Sequence, residues 1–95
     1  MDVHWTKPAK RDLELIQVYI ARDNGAAALK VIKRIYNAVH SQLVIAPLSG
    51  RVGRIENMRE LVLSDIPYIV AYQVKGGRLT VIRVLHTSLP LPEVL

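Results

Sequence analysis

Apolar residues recur at helical spacing along two stretches in the first half of the chain. A first helix is predicted from Lys7 to about Arg22, and a second from about Ala26 to Ile45. Leu13, Ile16 and Ile20 mark the apolar stripe of the first helix, and Leu15 and Tyr19 are expected to widen it. The corresponding stripe of the second helix consists of Ala28, Ile32, Ile35 and Val39. Both helices are therefore amphipathic and expected to pack against a core.

Residues suited to helix ends flank both stretches. Thr6 can cap the first helix, and Pro8 is tolerated in a first turn, where its missing N–H is not needed. Asp23-Asn24-Gly25 supplies a break and the next cap. Pro47 ends the second helix, because the residue before a proline is biased away from helical conformation. These signals predict a helical hairpin.

Short runs rich in β-branched and aromatic residues predict strands at the start of the chain and in its second half. Alternation is imperfect in the last two runs, which indicates that both of their faces are partly covered, as in the centre of a sheet. Gly76-Gly77 between them is typical of a tight hairpin. The four predicted strands are Asp2–Thr6, Glu60–Leu63, Pro67–Val74 and Leu79–Leu85.

The order β-α-α-β-β-β predicts an α+β fold, in which an N-terminal short strand and a helical hairpin pack on a mainly antiparallel sheet. The chain has 95 residues, so residues 1–95 are expected to form a single domain. Its 51% of hydrophobic residues is high for a domain of this size. Either the core is unusually aliphatic, or some apolar surface is left for a protein partner.

Positive charge is concentrated in the middle of the chain, which carries a net charge of +5. No acidic residue lies between Asp23 and Glu56. Such a distribution suits nucleic acid or an acidic protein, although a merely solubilising surface remains an alternative. The cations of this interval are Lys30, Lys33, Arg34, Arg51 and Arg54.

Several functional classes are disfavoured. The absence of cysteine excludes disulfides and thiolate metal sites and is compatible with a reducing cytosol. No apolar run approaches the ~20 residues of a membrane-spanning helix, and the N-terminus lacks the apolar centre of a signal peptide. We therefore expect a cytoplasmic protein that does not contact membranes. No metal-binding or cofactor-binding motif is found, so neither a metal nor a cofactor is expected.

The candidate chemistry lies in the second half of the chain. The loop Arg51–Arg54 places two arginines beside glycines and could grip phosphate or carboxylate. His86, at the end of the last strand, could act as a general base near Arg59 and Arg83, or could simply pack against the tail. Tyr68 and Tyr72 share one face of their strand, where they could stack on bases or fill the core.

The segments RELV (59–62), PYIVAY (67–72) and RVLH (83–86) resemble, in this order and spacing, the RelE/ParE superfamily of toxins from type II toxin–antitoxin systems. The similarity extends over nearly the whole chain. It implies a small basic toxin that supports plasmid stabilisation or growth inhibition, and whose cognate antitoxin wraps and neutralises it in a hetero-oligomer.

Two targets are implied by this superfamily. ParE-like members inhibit DNA gyrase by binding, and Arg51, Arg54, Arg59 and Arg83 would then be the candidate target-binding residues. RelE-like members are mRNA interferases that cut mRNA on the ribosome. Arg59, Arg83 and His86 would be the catalytic candidates in that case, so the sequence does not decide whether the protein is an enzyme.

One departure from the RelE-like pattern favours the ParE-like interpretation. The cationic sheet positions of ribosomal cutters fall near Glu60, Val62 and Ser64, and none of these is basic. A second departure weakens any function that depends on the tail: Leu91 stands where many relatives have a tryptophan, before the proline that corresponds to Pro92. An inactive relative that only binds its antitoxin is a third interpretation.

Overall fold

The computed structural model describes residues 1–88 and shows two helices packed on a five-stranded sheet, which confirms the predicted α+β class. The strand order is β1-β5-β4-β3-β2, and every neighbouring pair is antiparallel except the parallel pair β1–β5. The elements are β1 (Asp2–Trp5), α1 (Lys7–Ala21), α2 (Gly25–Asn37), a π-helical segment (Ala38–Leu43), β2 (Arg51–Val52), β3 (Arg59–Leu63), β4 (Tyr68–Lys75) and β5 (Arg78–His86).

The predicted caps hold the two helices in place. The Thr6 hydroxyl accepts a hydrogen bond from the Ala9 N–H at 3.2 Å and donates one to the Ile82 carbonyl at 2.8 Å. The cap therefore also ties the start of α1 to β5. At α2, the Asn24 side chain accepts from the Ala27 N–H at 3.0 Å. Both caps satisfy backbone donors that the first helical turn leaves without a partner.

The second helical run ends at Ile45 as predicted, but it is not uniform, because α2 stops at Asn37 and the π-helical segment precedes the last two helical residues. In this segment, the Nε2 atom of His40 accepts a hydrogen bond from the Trp5 indole at 3.1 Å. The His40 ring also stacks on Tyr36, with ring centroids 4.0 Å apart. The widened turn therefore coincides with the histidine that joins the helical layer to β1, a contact that hydrophobic periodicity does not reveal.

The hairpin between β4 and β5 follows its prediction. Gly76 and Gly77 have φ angles of 58° and 75°, in the left-handed region that favours glycine. The segment predicted as the loop Arg51–Arg54 is corrected in part, because Arg51 and Val52 form the short strand β2 on the edge of the sheet. Two residues are too few to show a strand periodicity.

The main core lies between the helices and one face of the sheet. The opposite face of the central strands is also covered, since Ile69 is 5% exposed and Ala71 is fully buried. This confirms the expectation from the imperfect alternation. The fully buried core residues include Ile35, Val39, Leu43, Val70, Tyr72, Leu79 and Val81.

Two further expectations concern membrane spans and the C-terminal tail. Among residues 1–88, no helix is long and apolar enough to cross a bilayer. The interpretation of residues 87–95 as an extended tail, including the departure at Leu91, falls mostly on residues 89–95, which lie outside the described part of the chain.

Candidate functional site

The basic region is built around a buried carboxylate. Glu60, in β3, is 1% exposed and stands directly opposite Arg51 of β2. Its Oε1 accepts hydrogen bonds from Nη2 and Nε of Arg51, at 2.8 and 3.3 Å. Its Oε2 accepts from the backbone N–H and from Nε of Arg54, both at 3.2 Å. We call Glu60, Arg51 and Arg54 the arginine clamp.

The electrostatics of the clamp follow from this geometry. Burial raises the pKa of Glu60, but the hydrogen bonds from Arg51 and Arg54 outweigh it and hold the pKa below its ordinary value. The carboxylate is therefore ionised at neutral pH. The side chains of Arg51 and Arg54 remain 57% and 50% exposed, so the clamp presents two guanidinium groups to solvent around one buried anion.

The chain before the clamp is braced by a buried tyrosine. The hydroxyl of Tyr72 accepts a hydrogen bond from the Gly50 N–H at 3.0 Å and donates one to the Pro47 carbonyl at 2.7 Å. A Cβ atom on Gly50 would lie 2.5 Å from this hydroxyl. One on Gly53 would lie 2.6 Å from the Met58 carbonyl oxygen. Gly50 and Gly53 are thus required by close packing within the protein.

Arg59 belongs to the same region but has a different partner. Its Nη1 donates to the Gly50 carbonyl at 3.0 Å, so its guanidinium ties the residue before β2 to β3. It faces Tyr72 across the β3–β4 ladder, whereas Glu60 faces Ala71. Arg59 and the clamp therefore lie on opposite faces of the sheet.

Arg83 lies on the helix side and is tied to α1. Its Nε and Nη2 donate to the two carboxylate oxygens of Asp12, at 2.7 and 3.0 Å. Asp12 also accepts from the Val84 N–H at 2.9 Å. The hydrogen bond to Asp12 raises the pKa of Arg83, which is already charged at neutral pH. This bidentate pair fixes α1 against β5 at the irregular stretch of the β4–β5 ladder.

His86 packs at the end of β5 as the simpler of its two interpretations requires. Its Nδ1 atom lies 3.1 Å from the Ser88 N–H, which donates to it. Its ring meets Tyr68 edge to face, with centroids 5.3 Å apart. Tyr68 and Tyr72 are 5% and 0% exposed and fill the core, so neither ring face is open for base stacking.

The three catalytic candidates do not form one site. Arg83 and His86 line a cleft of about 410 Å³ between α1 and β5. Arg59 pairs with Tyr72, whereas His86 pairs with Tyr68, which precedes Tyr72 by four residues in β4. At ~3.3 Å per residue this places Arg59 roughly 13 Å from His86 along the strand direction.

The cleft beside α1 is mostly apolar and continues onto the exposed side of that helix. Leu15, Val18 and Tyr19 are 58%, 57% and 69% exposed. Leu15 and Tyr19 also line the cleft, together with Ile16 and Tyr68. A single helix thus presents three large apolar side chains to solvent beside a groove, which is typical of a surface that binds another protein.

Two residues of these sites were missed by sequence reasoning. The sequence marks Glu60 only as a position that lacks positive charge, and it does not single out Asp12. A lone acidic residue in an apolar strand, shortly after two arginines, is the signal that could have indicated the clamp. Nothing local could have paired Asp12 with Arg83, 71 residues away. Within residues 1–88, no group of three or more metal-ligating side chains is clustered.

Comparison with known proteins identifies a matching family and two similar proteins. Residues 3–89 match the family model described as the ParE toxin of the type II toxin–antitoxin system parDE. A protein of Sinorhizobium fredii (strain NBRC 101917 / NGR234), named "Putative toxin Y4kP", is 43% identical over 93 residues, which are 98% of this chain and 95% of that protein. A solved structure of the chromosomal ParDE toxin–antitoxin system from P. aeruginosa matches with a TM-score of 0.80 and 26% identity, and covers 93% of this chain and 97% of that one.

Proposed function

The chain belongs to the ParE toxin family of type II toxin–antitoxin systems, and from this premise we propose that it inhibits DNA gyrase by binding and is neutralised by a cognate antitoxin. The main observation in favour of gyrase binding is that the candidate arginines are held in place by other groups of the protein. Each candidate guanidinium is anchored by a carboxylate or a carbonyl, and Arg59 is separated from His86.

Anchored guanidinium groups suit recognition better than cleavage. A nuclease needs a general base within hydrogen-bond reach of the attacking hydroxyl, and cations placed where charge develops on the same phosphate. Arg51, Arg54 and Arg59 lie around β2 with no histidine among their hydrogen-bond partners in residues 1–88. Arginines held in a fixed orientation lose little side-chain freedom on binding, so they make efficient interface residues.

The antitoxin would occupy the apolar cleft beside α1. The toxin leaves Leu15, Val18 and Tyr19 exposed there, and the cleft has room for side chains of a bound segment. A segment with apolar residues at helical or alternating spacing would cover this surface. The isolated toxin is then expected to be less soluble than its complex, and equal solubility of the two would contradict this surface.

Gyrase supercoiling by the toxin, freed from its antitoxin, is the test of the target. The wild-type toxin should block supercoiling at stoichiometric excess. Arg59→Gln should weaken inhibition by about tenfold or more, and so should Arg51→Gln/Arg54→Gln combined with Glu60→Gln, which leaves no unpaired buried charge, since each variant removes charged contacts.

Arg34→Gln is the matched control, because it removes one arginine whose ion pair, with Asp65, lies on exposed surface away from β2. It should inhibit like the wild type. Unchanged supercoiling with excess wild-type toxin would refute gyrase as the target.

A second candidate function is ribosome-dependent mRNA cleavage, because Arg83 and His86 do line the same cleft. Mapping of new mRNA 5′ ends after induction of the toxin alone would test it. Codon-phased cuts that disappear in a folded His86→Ala variant would establish the nuclease. Intact mRNA in cells that stop growing would exclude it.

A further inference from the structure

The arginine clamp contains donors that have no acceptor among residues 1–88. Arg51 binds Glu60 through Nε and Nη2, and Arg54 binds it through Nε. Within residues 1–88, Nη1 of Arg51 and both Nη atoms of Arg54 make no hydrogen bond. Because both side chains are at least half exposed, these N–H groups face solvent from two guanidiniums that share one carboxylate.

We propose that Glu60 is a positioning residue, whose buried carboxylate holds Arg51 and Arg54 as one binding site for a carboxylate group of an acidic protein segment. This inference rests on the proposed function, in which these arginines contact a protein target. It adds the chemistry of the contact and the residue that organises it.

The design of the clamp explains why a charge is buried at this position. A single buried carboxylate is costly to desolvate and is retained only where several donors satisfy it. Four donor groups do so here, three from side chains and one from the Arg54 backbone. An apolar residue would fill the same space but would leave both arginines free to move.

The surroundings favour a protein carboxylate over nucleic acid. Duplex DNA carries a charge about every 1.7 Å and is bound by extended lines of cations. The clamp is instead a compact group of two cations and one anion. Val62, two residues after Glu60 on the same face of β3, is 41% exposed and offers aliphatic surface beside it. Arginine next to apolar surface is typical of protein interfaces.

The test uses the free full-length toxin, labelled with ¹⁵N, and an acetylated tetraglutamate peptide. The arginine Nε–Hε signals of Arg51 and Arg54 should shift as the peptide is added. In Glu60→Gln the dissociation constant should rise about tenfold, since charge-assisted contacts are no longer aligned. A parallel titration with inorganic pyrophosphate at equal ionic strength distinguishes a carboxylate site from a phosphate site.

The direction in which Glu60→Gln changes the peptide affinity shows whether Glu60 positions the arginines or acts only through its charge. Removing a negative charge next to the site should by itself tighten the binding of an anion. Glu60→Gln that binds the peptide as tightly as the wild type, or more tightly, would therefore overturn the proposal. Preference for pyrophosphate over the peptide would overturn the protein carboxylate as ligand.

Two further variants keep the test decisive. Arg51→Lys retains the charge but loses the planar guanidinium, so it should also bind the peptide about tenfold more weakly. This variant tests the proposal independently if Glu60→Gln does not fold. Asp65→Asn, which releases the exposed Arg34 instead, should stay within about twofold of the wild type.

The gyrase assay separates the two proposals. If the toxin inhibits gyrase but its clamp binds no peptide, only the proposed carboxylate site is refuted. A clamp that binds as expected in a toxin without effect on gyrase would refute the proposed target.

Discussion

Tyr72→Phe isolates the contribution of one hydroxyl to the loop that carries the clamp. The phenol ring is fully buried, and its oxygen joins the Gly50 N–H to the Pro47 carbonyl. Phenylalanine keeps the packing and removes both hydrogen bonds. The variant therefore measures how strongly the chain between residues 47 and 50 is held to the sheet.

The magnitude follows from what each partner loses. The Gly50 N–H is buried, and leaving it without an acceptor costs about 1–3 kcal/mol. The Pro47 carbonyl is half-buried and can recover a bond with water, so its loss is about 0.5–1 kcal/mol. We expect the free energy of unfolding to fall by about 2–3 kcal/mol. For a domain of this size the melting temperature would fall by roughly 10–20 °C.

Urea denaturation measures this change, with the fluorescence of Trp5, the only tryptophan, as the signal. Tyr19→Phe is the matched control, because that side chain is 69% exposed. It should change the free energy of unfolding by less than about 0.5 kcal/mol. If Tyr72→Phe also stays within about 0.5 kcal/mol of the wild type at an unchanged m-value, the hydroxyl does not brace the loop and the reasoning is wrong.

Two other predictions follow from the same region. Gly50→Ala places a methyl group 2.5 Å from the Tyr72 hydroxyl and 3.0 Å from the Glu60 carbonyl oxygen, so it should destabilise by about 1–3 kcal/mol in the same assay. Gly25→Ala, where nothing lies within 4 Å of the added atom, should be neutral or slightly stabilising; equal losses in both would contradict the packing argument. The lowered pKa of Glu60 means that its ionisation stabilises the fold above its unfolded pKa of about 4.3, and that this stability is lost as pH falls through the lower folded pKa. Acid unfolding should therefore be flatter in Glu60→Gln than in the wild type. Asp65→Asn should change the profile less, because the hydrogen bond from Arg34 also lowers the pKa of Asp65 but this ion pair is exposed and screened by solvent; identical slopes in all three proteins would contradict this.

Local signals in the sequence were sufficient for most of the fold. The caps at Thr6 and Asn24 and the turn at Gly76-Gly77 depend on neighbouring residues, and each was predicted correctly. The stripe of α1 was correct for Leu13, Ile16 and Ile20, which pack on the core. It was wrong for Leu15 and Tyr19, which are exposed, because helical spacing alone does not set how wide the covered face is. The buried run from Tyr68 to Tyr72 was recognisable because the lack of alternation reports burial on both faces.

The site was less predictable, because its contacts join distant residues. Arg51 and Arg54 were selected for their charge, but their shared partner Glu60 becomes apparent only once β2 pairs with β3. Arg83 and Asp12 are separated by 71 residues. The π-helical segment was not predicted for the same reason. Its His40 side chain contacts Trp5, which lies 35 residues earlier in the chain.

The parallel pairing of β1 with β5 has a consequence for the newly synthesised chain. Within the described sheet, β1 has no strand neighbour other than β5, so residues 2–5 find their partners only after residues 78–81 have been translated. The two helices contact each other much earlier, because their contacts are close in sequence. The cleft beside α1 includes β5 residues, so it too is complete only after that strand has been translated. An antitoxin that binds there would recognise the finished toxin and not the nascent chain.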